Sequence, residues 1–121
     1  MENNIPAIEK RRYKRVDASL PVEYRDLKNS VELPKGSSLR NISEGGACFS
    51  SSKFMSLACR LVLTISLPNN SVPIKAISKV AWIRRLPQSD QYELGNQFLE
   101  ITKSDKTQIM DFVKNLPSAA V

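Results

Sequence analysis

The chain has 121 residues, of which 41% are apolar and 25% charged, and its formal net charge is +6. This length fits one ordinary domain, and the composition is typical of a globular protein rather than a disordered one. No apolar run approaches the roughly 18 residues that span a bilayer, and the first residues lack the apolar core of a signal peptide. We therefore expect a cytoplasmic protein without membrane insertion.

The amino-terminal part predicts a disordered lead over residues 1–8, followed by a basic run between positions 10 and 15. Such a run is either a solvated tail or a binding site for phosphates. The phosphates would belong to nucleic acid, to a nucleotide or to an anionic membrane surface. Charge alone does not choose among these partners.

The first half of the barrel region, residues 17–101, predicts three short strands. Leu20, Val22 and Tyr24 alternate with polar residues, which is the two-residue period of a half-buried strand. Residues 26–35 are polar and form a connection before an extended segment resumes at Gly36 and continues to Ser43. The turn Glu44-Gly45-Gly46 then leads into a strand over residues 47–50.

The second half predicts three longer strands over residues 60–67, 72–84 and 92–101. The first presents four aliphatic side chains to one face, and a break in alternation predicts a bulge at Ile77–Ser78 in the second. Gly95 in the third predicts a bend or a close backbone approach. The predicted core-facing side chains of the two strands before it are Leu61, Leu63, Ile65 and Leu67, then Val72, Ile74, Ala76, Val80 and Trp82.

The carboxyl-terminal segment changes to a helical period and predicts a helix over residues 103–116. Thr102 and Asp105 have the spacing of a capping box, and Pro117 ends the helix. The apolar stripe is Ile109, Phe112, Val113 and Leu116, and we expect it to cover an open end of the barrel. Residues 118–121 form a short tail. Six short strands and one helix favour a small antiparallel barrel or sandwich.

Enzymatic and metal chemistry is poorly supported by the residues. The chain contains no histidine, and it carries neither a phosphate loop nor a dinucleotide fingerprint. Cys48 and Cys59 lack the spacing of a zinc site, so we expect two reduced thiols, no metal and no cofactor. We therefore predict that the protein is not an enzyme.

Two short clusters carry most of the functional information. Arg11 and Arg15 form an RxxxR pair, and an NxSxxG motif begins at Asn41. Guanidinium groups bind phosphate oxygens and the guanine edge through paired hydrogen bonds. The Asn and Ser lie two residues apart on one strand face, and the glycine lets a flat ligand approach. Any hairpin turn also favours Asn, Ser and Gly, so the second cluster alone is ambiguous.

In combination, these clusters resemble the PilZ domain family. An RxxxR pair before the first strand, followed by [DN]xSxxG between two strands, is the pattern of that family, and the similarity runs from about Glu9 to about Leu116. Trp82 in the long strand and Gly95 with Phe98 in the last strand agree with it. The resemblance implies a six-stranded antiparallel β-barrel with a C-terminal α-helix over residues 9–117, in which residues 9–16 wrap a ligand.

The ligand that the resemblance implies is cyclic di-GMP, a bacterial second messenger with two guanines and two phosphates. The arginines would contact phosphates and guanine edges, while the Asn and Ser would bind one guanine and the glycine would leave room for it. A cation just before the RxxxR pair is similar to family members that bind two stacked ligand molecules. The implied ligand-binding residues are Arg11, Arg12, Arg15, Asn41, Ser43 and Gly46, with Lys10 and Gly45 as accessory residues.

Three functions remain open from the sequence. The first is a cyclic di-GMP receptor that changes conformation and signals through an unidentified effector protein. The second is a PilZ-like protein-interaction domain with weak or no nucleotide binding. The third is a small basic barrel for single-stranded nucleic acid, which the 7% aromatic content disfavours because such proteins stack bases on exposed rings.

Overall fold

The computed structural model describes residues 16, 17, 19–68 and 70–115. The predictions for residues 1–8, for most of the ligand-wrapping segment and for the tail at 118–121 therefore lie outside the described residues. The elements, in chain order, are β1 (Val16–Asp17), β2 (Pro21–Asp26), β3 (Lys35–Ser43), β4 (Gly46–Ser51), β5 (Arg60–Ile65), β6 (Ile74–Arg85), β7 (Tyr92–Ile101) and α1 (Lys103–Lys114).

The strands form one antiparallel sheet in the order β1-β3-β2-β5-β6-β7-β4. An additional pairing between β3 and β4 joins the two sides of this sheet, so the six longer strands close into a barrel. The predicted six-stranded barrel with a carboxyl-terminal helix is thereby confirmed. The short strand β1 was not predicted, because two residues are too few to show a periodic pattern.

Alternating apolar residues of the strands fill the interior of the barrel, as the period of two predicts. Val22 of β2 and Leu63 of β5 are buried, and the fully buried Phe49 of β4 packs against the ring of Tyr24 at a centroid distance of 4.9 Å. The Tyr24 hydroxyl donates a hydrogen bond of 2.9 Å to Ser51 Oγ, so this buried phenol is satisfied. The same alternation places the intervening residues on the outside.

The bulge predicted at Ile77–Ser78 is confirmed by a register shift between β6 and β7 at that point. Ile77 pairs with Glu100 and Ser78 pairs with Phe98, so the extra residue is Leu99 of β7. Because a bulge adds one residue to one strand, the faces of β7 are exchanged beyond it.

A second bulge, which was not predicted, places Trp82 on the outside of the barrel. Val80 is buried, but Ala81 is an extra residue in the ladder before Trp82 pairs with Gly95. The prediction that Trp82 faces the core was therefore wrong, because the extra residue reverses the alternation. The prediction for Val72 was also wrong, since this residue is exposed in the connection that precedes β6.

The helix begins as the capping pattern predicts. The Thr102 side chain accepts a hydrogen bond of 3.1 Å from the backbone N–H of Asp105, which satisfies one free donor of the first turn. The Asp105 carboxylate accepts a bond of 3.3 Å from the backbone N–H of Lys75, which ties α1 to β6. Ile109 and Val113 are buried in the same core cluster as the strand residues. The helix ends at Lys114 with Asn115 as its C-cap, so the predicted end at residue 116 was two residues too late.

Gly46 provides a test of how closely β4 and β7 approach each other. A Cβ atom on Gly46 would collide with the backbone carbonyl of Asn96, which the β4–β7 ladder holds in place. We expect Gly46→Ala to lower the free energy of unfolding in urea by about 1–3 kcal/mol. Gly36→Ala in β3 is the matched control, because a Cβ there meets no atom within 4 Å. Equal stability of the two variants would contradict this account.

Candidate ligand-binding site

Four adjacent strands contribute one residue each to a row across the outside of the barrel. Asn41 of β3 pairs with Cys48 of β4, Cys48 pairs with Gly95 of β7, and Gly95 pairs with Trp82 of β6. Directly paired residues share a sheet face. Three strand spacings of about 4.8 Å make the row roughly 14 Å long. We call this row, from Asn41 to Trp82, the outer strip.

Asn41 has an unsatisfied hydrogen-bond acceptor. Its Oδ1 atom is buried and accepts no hydrogen bond from any of the residues the structure describes. Leaving such a group unpaired costs about 1–3 kcal/mol. Ile42, the next residue, is fully buried in the core, so Asn41 and Ser43 lie together on the outer face as predicted. The strip thus presents an acceptor that a donor from elsewhere would stabilise.

Ser43 stabilises the turn between β3 and β4. Its Oγ accepts a hydrogen bond of 3.2 Å from the backbone N–H of Gly45 and donates one of 3.4 Å to the carbonyl of Gly46. The Gly45 carbonyl in turn accepts a bond of 2.9 Å from the backbone N–H of Phe98. A hydroxyl has two acceptor lone pairs, so Ser43 retains one beyond its bond from Gly45. The motif's serine therefore has a structural role beside any role in binding.

Two glycines allow the close packing under the strip. Gly46 has no room for a side chain because of the β7 backbone, which is a reason for glycine that does not involve a ligand. At Gly95, a Cβ atom would collide with the five-membered ring of the Trp82 indole, so this ring lies directly against the glycine. The close approach predicted at Gly95 is thus confirmed, with an aromatic side chain rather than a backbone as its partner.

The strand β1 directly follows the basic run in the chain and lies beside the motif strand. Lys10, Arg11, Arg12 and Arg15 lie outside the described residues, but the chain that follows them does not. Val16 pairs with Ile42 and Asp17 pairs with Asn41. The strand directly after the RxxxR pair is therefore hydrogen-bonded to the strand that carries the NxSxxG motif. In this register Val16 is the residue of β1 that lies nearer the Ser43 end of β3.

The described part of the chain contains both cysteines. Cys48 and Cys59 form no disulfide, as predicted. Burial, and then the neighbouring Asp26 carboxylate, raises the pKa of the Cys59 thiol, so at neutral pH it is protonated and a weak nucleophile. Within the described ranges, no three His, Cys, Asp or Glu side chains group as metal ligands would, and no helix is long and apolar enough to cross a membrane.

Sequence reasoning recognised Trp82 but placed it on the wrong face. The error has one cause, the bulge at Ala81, and an alanine between two apolar residues gives no local signal for it. The Trp82 side chain is 37% exposed and shares the strip with Asn41. An aromatic ring and a buried acceptor thus mark the two ends of the strip.

The fold and the strip together define a class of protein: a small antiparallel barrel with its polar site on the outside, beside the strand that follows a basic segment. The sequence model described as "PilZ domain" matches residues 9–115. The chain therefore belongs to the PilZ domain family.

Comparison with solved structures gives the same fold. The chain is similar to the Bacillus subtilis inhibitor of motility MotI/DgrA, with 24% identity and a TM-score of 0.75, over 87% of this chain and 50% of that protein. It is similar to the PilZ domain of Escherichia coli YcgR with c-di-GMP, with 16% identity and a TM-score of 0.68, over 88% of this chain and 91% of that domain. It also resembles the K. pneumonia MrkH–c-di-GMP complex, with 17% identity and a TM-score of 0.69, over 88% of this chain and 51% of that protein.

The lengths of these proteins differ from that of the present chain. It spans about half of the Bacillus and Klebsiella proteins and nearly all of the isolated YcgR domain. A search of curated proteins found no match.

The contact between Gly95 and Trp82 predicts a spectroscopic change. Gly95→Ala would displace the indole from its seat, and Trp82 is the only tryptophan of the chain, so its emission reports on this position alone. We expect a red-shifted emission maximum, because the displaced ring contacts more water. Gly36→Ala serves as the control and should leave the spectrum unchanged. An unshifted spectrum in Gly95→Ala would show that the ring does not rest on the glycine.

Proposed function

We propose that this chain is a cyclic di-GMP receptor that binds its ligand on the outer strip, between the basic run and β3. The observation that carries the proposal is the unsatisfied Oδ1 of Asn41, which lies on the outer face directly beside the strand that follows the arginines. Guanine offers N–H donors on its Watson–Crick edge that suit such an acceptor. Family membership and the c-di-GMP complexes of the YcgR domain and MrkH support the same ligand.

Chain length permits the arginines to reach the whole strip. Arg15 is bonded to Val16, and Arg11 lies five residues before Val16, a contour of at most roughly 18 Å. The strip itself is about 14 Å long, and β1 lies one strand beyond its Asn41 end, so Trp82 is roughly 19 Å from Val16. A ligand lying along the strip would therefore be within reach of the basic run at the Asn41 end, and the Arg11 side chain of a fully extended run would reach toward the other end. Arg11 and Arg15 would bind phosphate and guanine edges, with Arg12 and Lys10 beside them.

The strip residues would bind the bases. Asn41 Oδ1 and the remaining lone pair of Ser43 would accept hydrogen bonds from one guanine, next to the turn that Gly45 and Gly46 form. Trp82 would provide an aromatic surface at the other end of the strip. Because Gly95 has no side chain, the strip stays shallow between these two ends, which suits a flat ligand.

Signalling would depend on a protein partner. A ligand that bridges the run and the strip would draw the run onto the barrel and thereby change the surface that the partner contacts. The loops after β2 and β4 lie at one end of the barrel. Leu27 begins the first loop and Arg60 directly follows the second, and the backbone N–H of Leu27 donates a hydrogen bond of 2.9 Å to the carbonyl of Arg60. Their exposed apolar residues suit a protein partner: Val31, Leu33, Phe54 and Leu57. The receptor would be cytoplasmic and would catalyse no reaction.

Calorimetric titration with cyclic di-GMP tests the proposal. We expect micromolar or tighter binding to the wild type, and we expect Arg11→Ala/Arg15→Ala to abolish it because the bidentate phosphate contacts are lost. Arg25→Ala/Arg60→Ala removes the same charge from β2 and β5 and is the matched control. Saturation at two ligands per chain would support the binding of two stacked ligand molecules that Lys10 suggests, and saturation at one would exclude that stoichiometry.

Absence of heat with the wild type would contradict the receptor proposal. The interaction-domain alternative would then be tested by partner capture on the folded chain. The nucleic-acid alternative predicts binding to single strands that weakens steeply with salt, because such binding depends on released counterions.

Substitution of Asn41 tests the contact on which the proposal depends. Asn41→Ala removes the acceptor, and we expect about tenfold weaker cyclic di-GMP binding, the equivalent of one good hydrogen bond. Asn41→Asp supplies a charged acceptor of the same shape, and we expect equal or tighter binding. Thermal melts of both variants separate binding from folding. A tenfold loss in Asn41→Asp would contradict the assignment of an acceptor role to this position.

A further inference from the structure

A pair of arginines on the outer face shares one buried carboxylate beside the strip. Glu93 of β7 has a side chain that is only 6% exposed. Its Oε2 lies 3.1 Å from Nε of Arg40, and its Oε1 accepts a hydrogen bond from Nη2 of Arg84. Both arginine side chains are more than half exposed. Two cations therefore meet at one anion, and the cluster keeps a net charge of +1.

The backbone brings these three residues to the strip. Glu93 precedes Gly95 by two residues and pairs with Arg84, so it lies on the same face about 7 Å along the strand. Arg40 directly precedes Asn41 and is the extra residue of a bulge in β3, where the register with β4 shifts. Bulges re-aim side chains and are frequent near functional sites. Here the bulge allows Arg40 to reach Glu93 across β4.

The cluster holds more positive charge than the burial of Glu93 requires. A buried carboxylate needs a partner, and Arg84 already provides a hydrogen bond to it. Arg40 faces Glu93 with its Nε atom, at 3.1 Å from Oε2. Its four Nη–H donors make no hydrogen bond to a residue in the described part of the chain, so they stay available on a side chain whose position the ion pair restricts. Such a preorganised fork suits the oxygens of a phosphate.

We propose that Arg40 and Arg84, positioned by Glu93, bind a phosphate of the ligand. This inference rests on the proposed function and extends it, because that ligand carries two phosphates and Val16, to which the basic run is joined, lies toward the Ser43 end of β3. Arg40 lies on the other side of Asn41. The two sets of arginines would therefore bracket the Asn41 acceptor and bind one phosphate each. Glu93 is a positioning residue that does not touch the ligand.

Titration of cyclic di-GMP into Arg40→Ala tests this site. We expect about tenfold weaker binding, and a smaller loss in Arg40→Lys, which keeps the charge without the fork. Arg85→Ala is the matched control, because Arg85 neighbours Arg84 but pairs with the fully exposed Asp90. It should bind within about twofold of the wild type, since exposed ion pairs contribute little. The deficit of Arg40→Ala should shrink at high salt, because screening weakens a phosphate contact.

Glu93→Gln separates positioning from bulk attraction. This variant raises the net charge by one, so an effect of charge alone would tighten binding. If Glu93 holds the arginines in place, binding weakens instead, by about fivefold, with folding checked by a thermal melt. Tighter binding in Glu93→Gln, or equal binding by Arg40→Ala and Arg85→Ala, would overturn the inference while leaving the receptor function intact. A wild type that binds no cyclic di-GMP would overturn both.

Discussion

The pairing of β3 with three other strands is the constraint on which the structure depends. Its first part pairs with β2, its last part pairs with β1, and its other edge pairs with β4. Without the β3–β4 ladder the sheet would be open and would expose two edges of unpaired backbone groups. The same strand carries Asn41 and Ser43, so the residues of the proposed site lie on the element that closes the barrel.

This arrangement explains why the site can be both rigid and dependent on a tethered segment. Ile42 is anchored in the core, and the Ser43 hydroxyl fixes the following turn, so Asn41 has little freedom to move toward a hydrogen-bond donor. The energy of its unsatisfied acceptor is an example of strain that a ligand would relieve. Among the described residues, two paired residues of β1 join the proposed basic run to this face. Ligand binding would therefore couple a fixed surface to a tethered chain.

The sequence predicted the fold well where one physical rule dominates. Alternation gave the strands, and the Thr102 cap gave the start of the helix, because burial and capping act locally. The sequence placed Trp82 on the wrong face of its strand and did not indicate that Arg40, Glu93 and Arg84 are neighbours. Each of these depends on a bulge, at Ala81 or at Arg40, and a bulge follows from the register between strands distant in sequence. Single-strand periodicity contains no information about that register.

The motif itself shows how structural roles and a proposed binding role combine in few residues. Ser43 and Gly46 are required by the turn and by the approach of β4 to β7, so their presence would be explained without any ligand. Asn41 is different, because its buried acceptor makes no contribution to the described fold and costs stability instead. The bulge at Arg40 lies in the adjacent position and directs that side chain toward Glu93. The unsatisfied acceptor and the re-aimed arginine are thus neighbours in β3, and a ligand with both N–H donors and phosphates would bind them together.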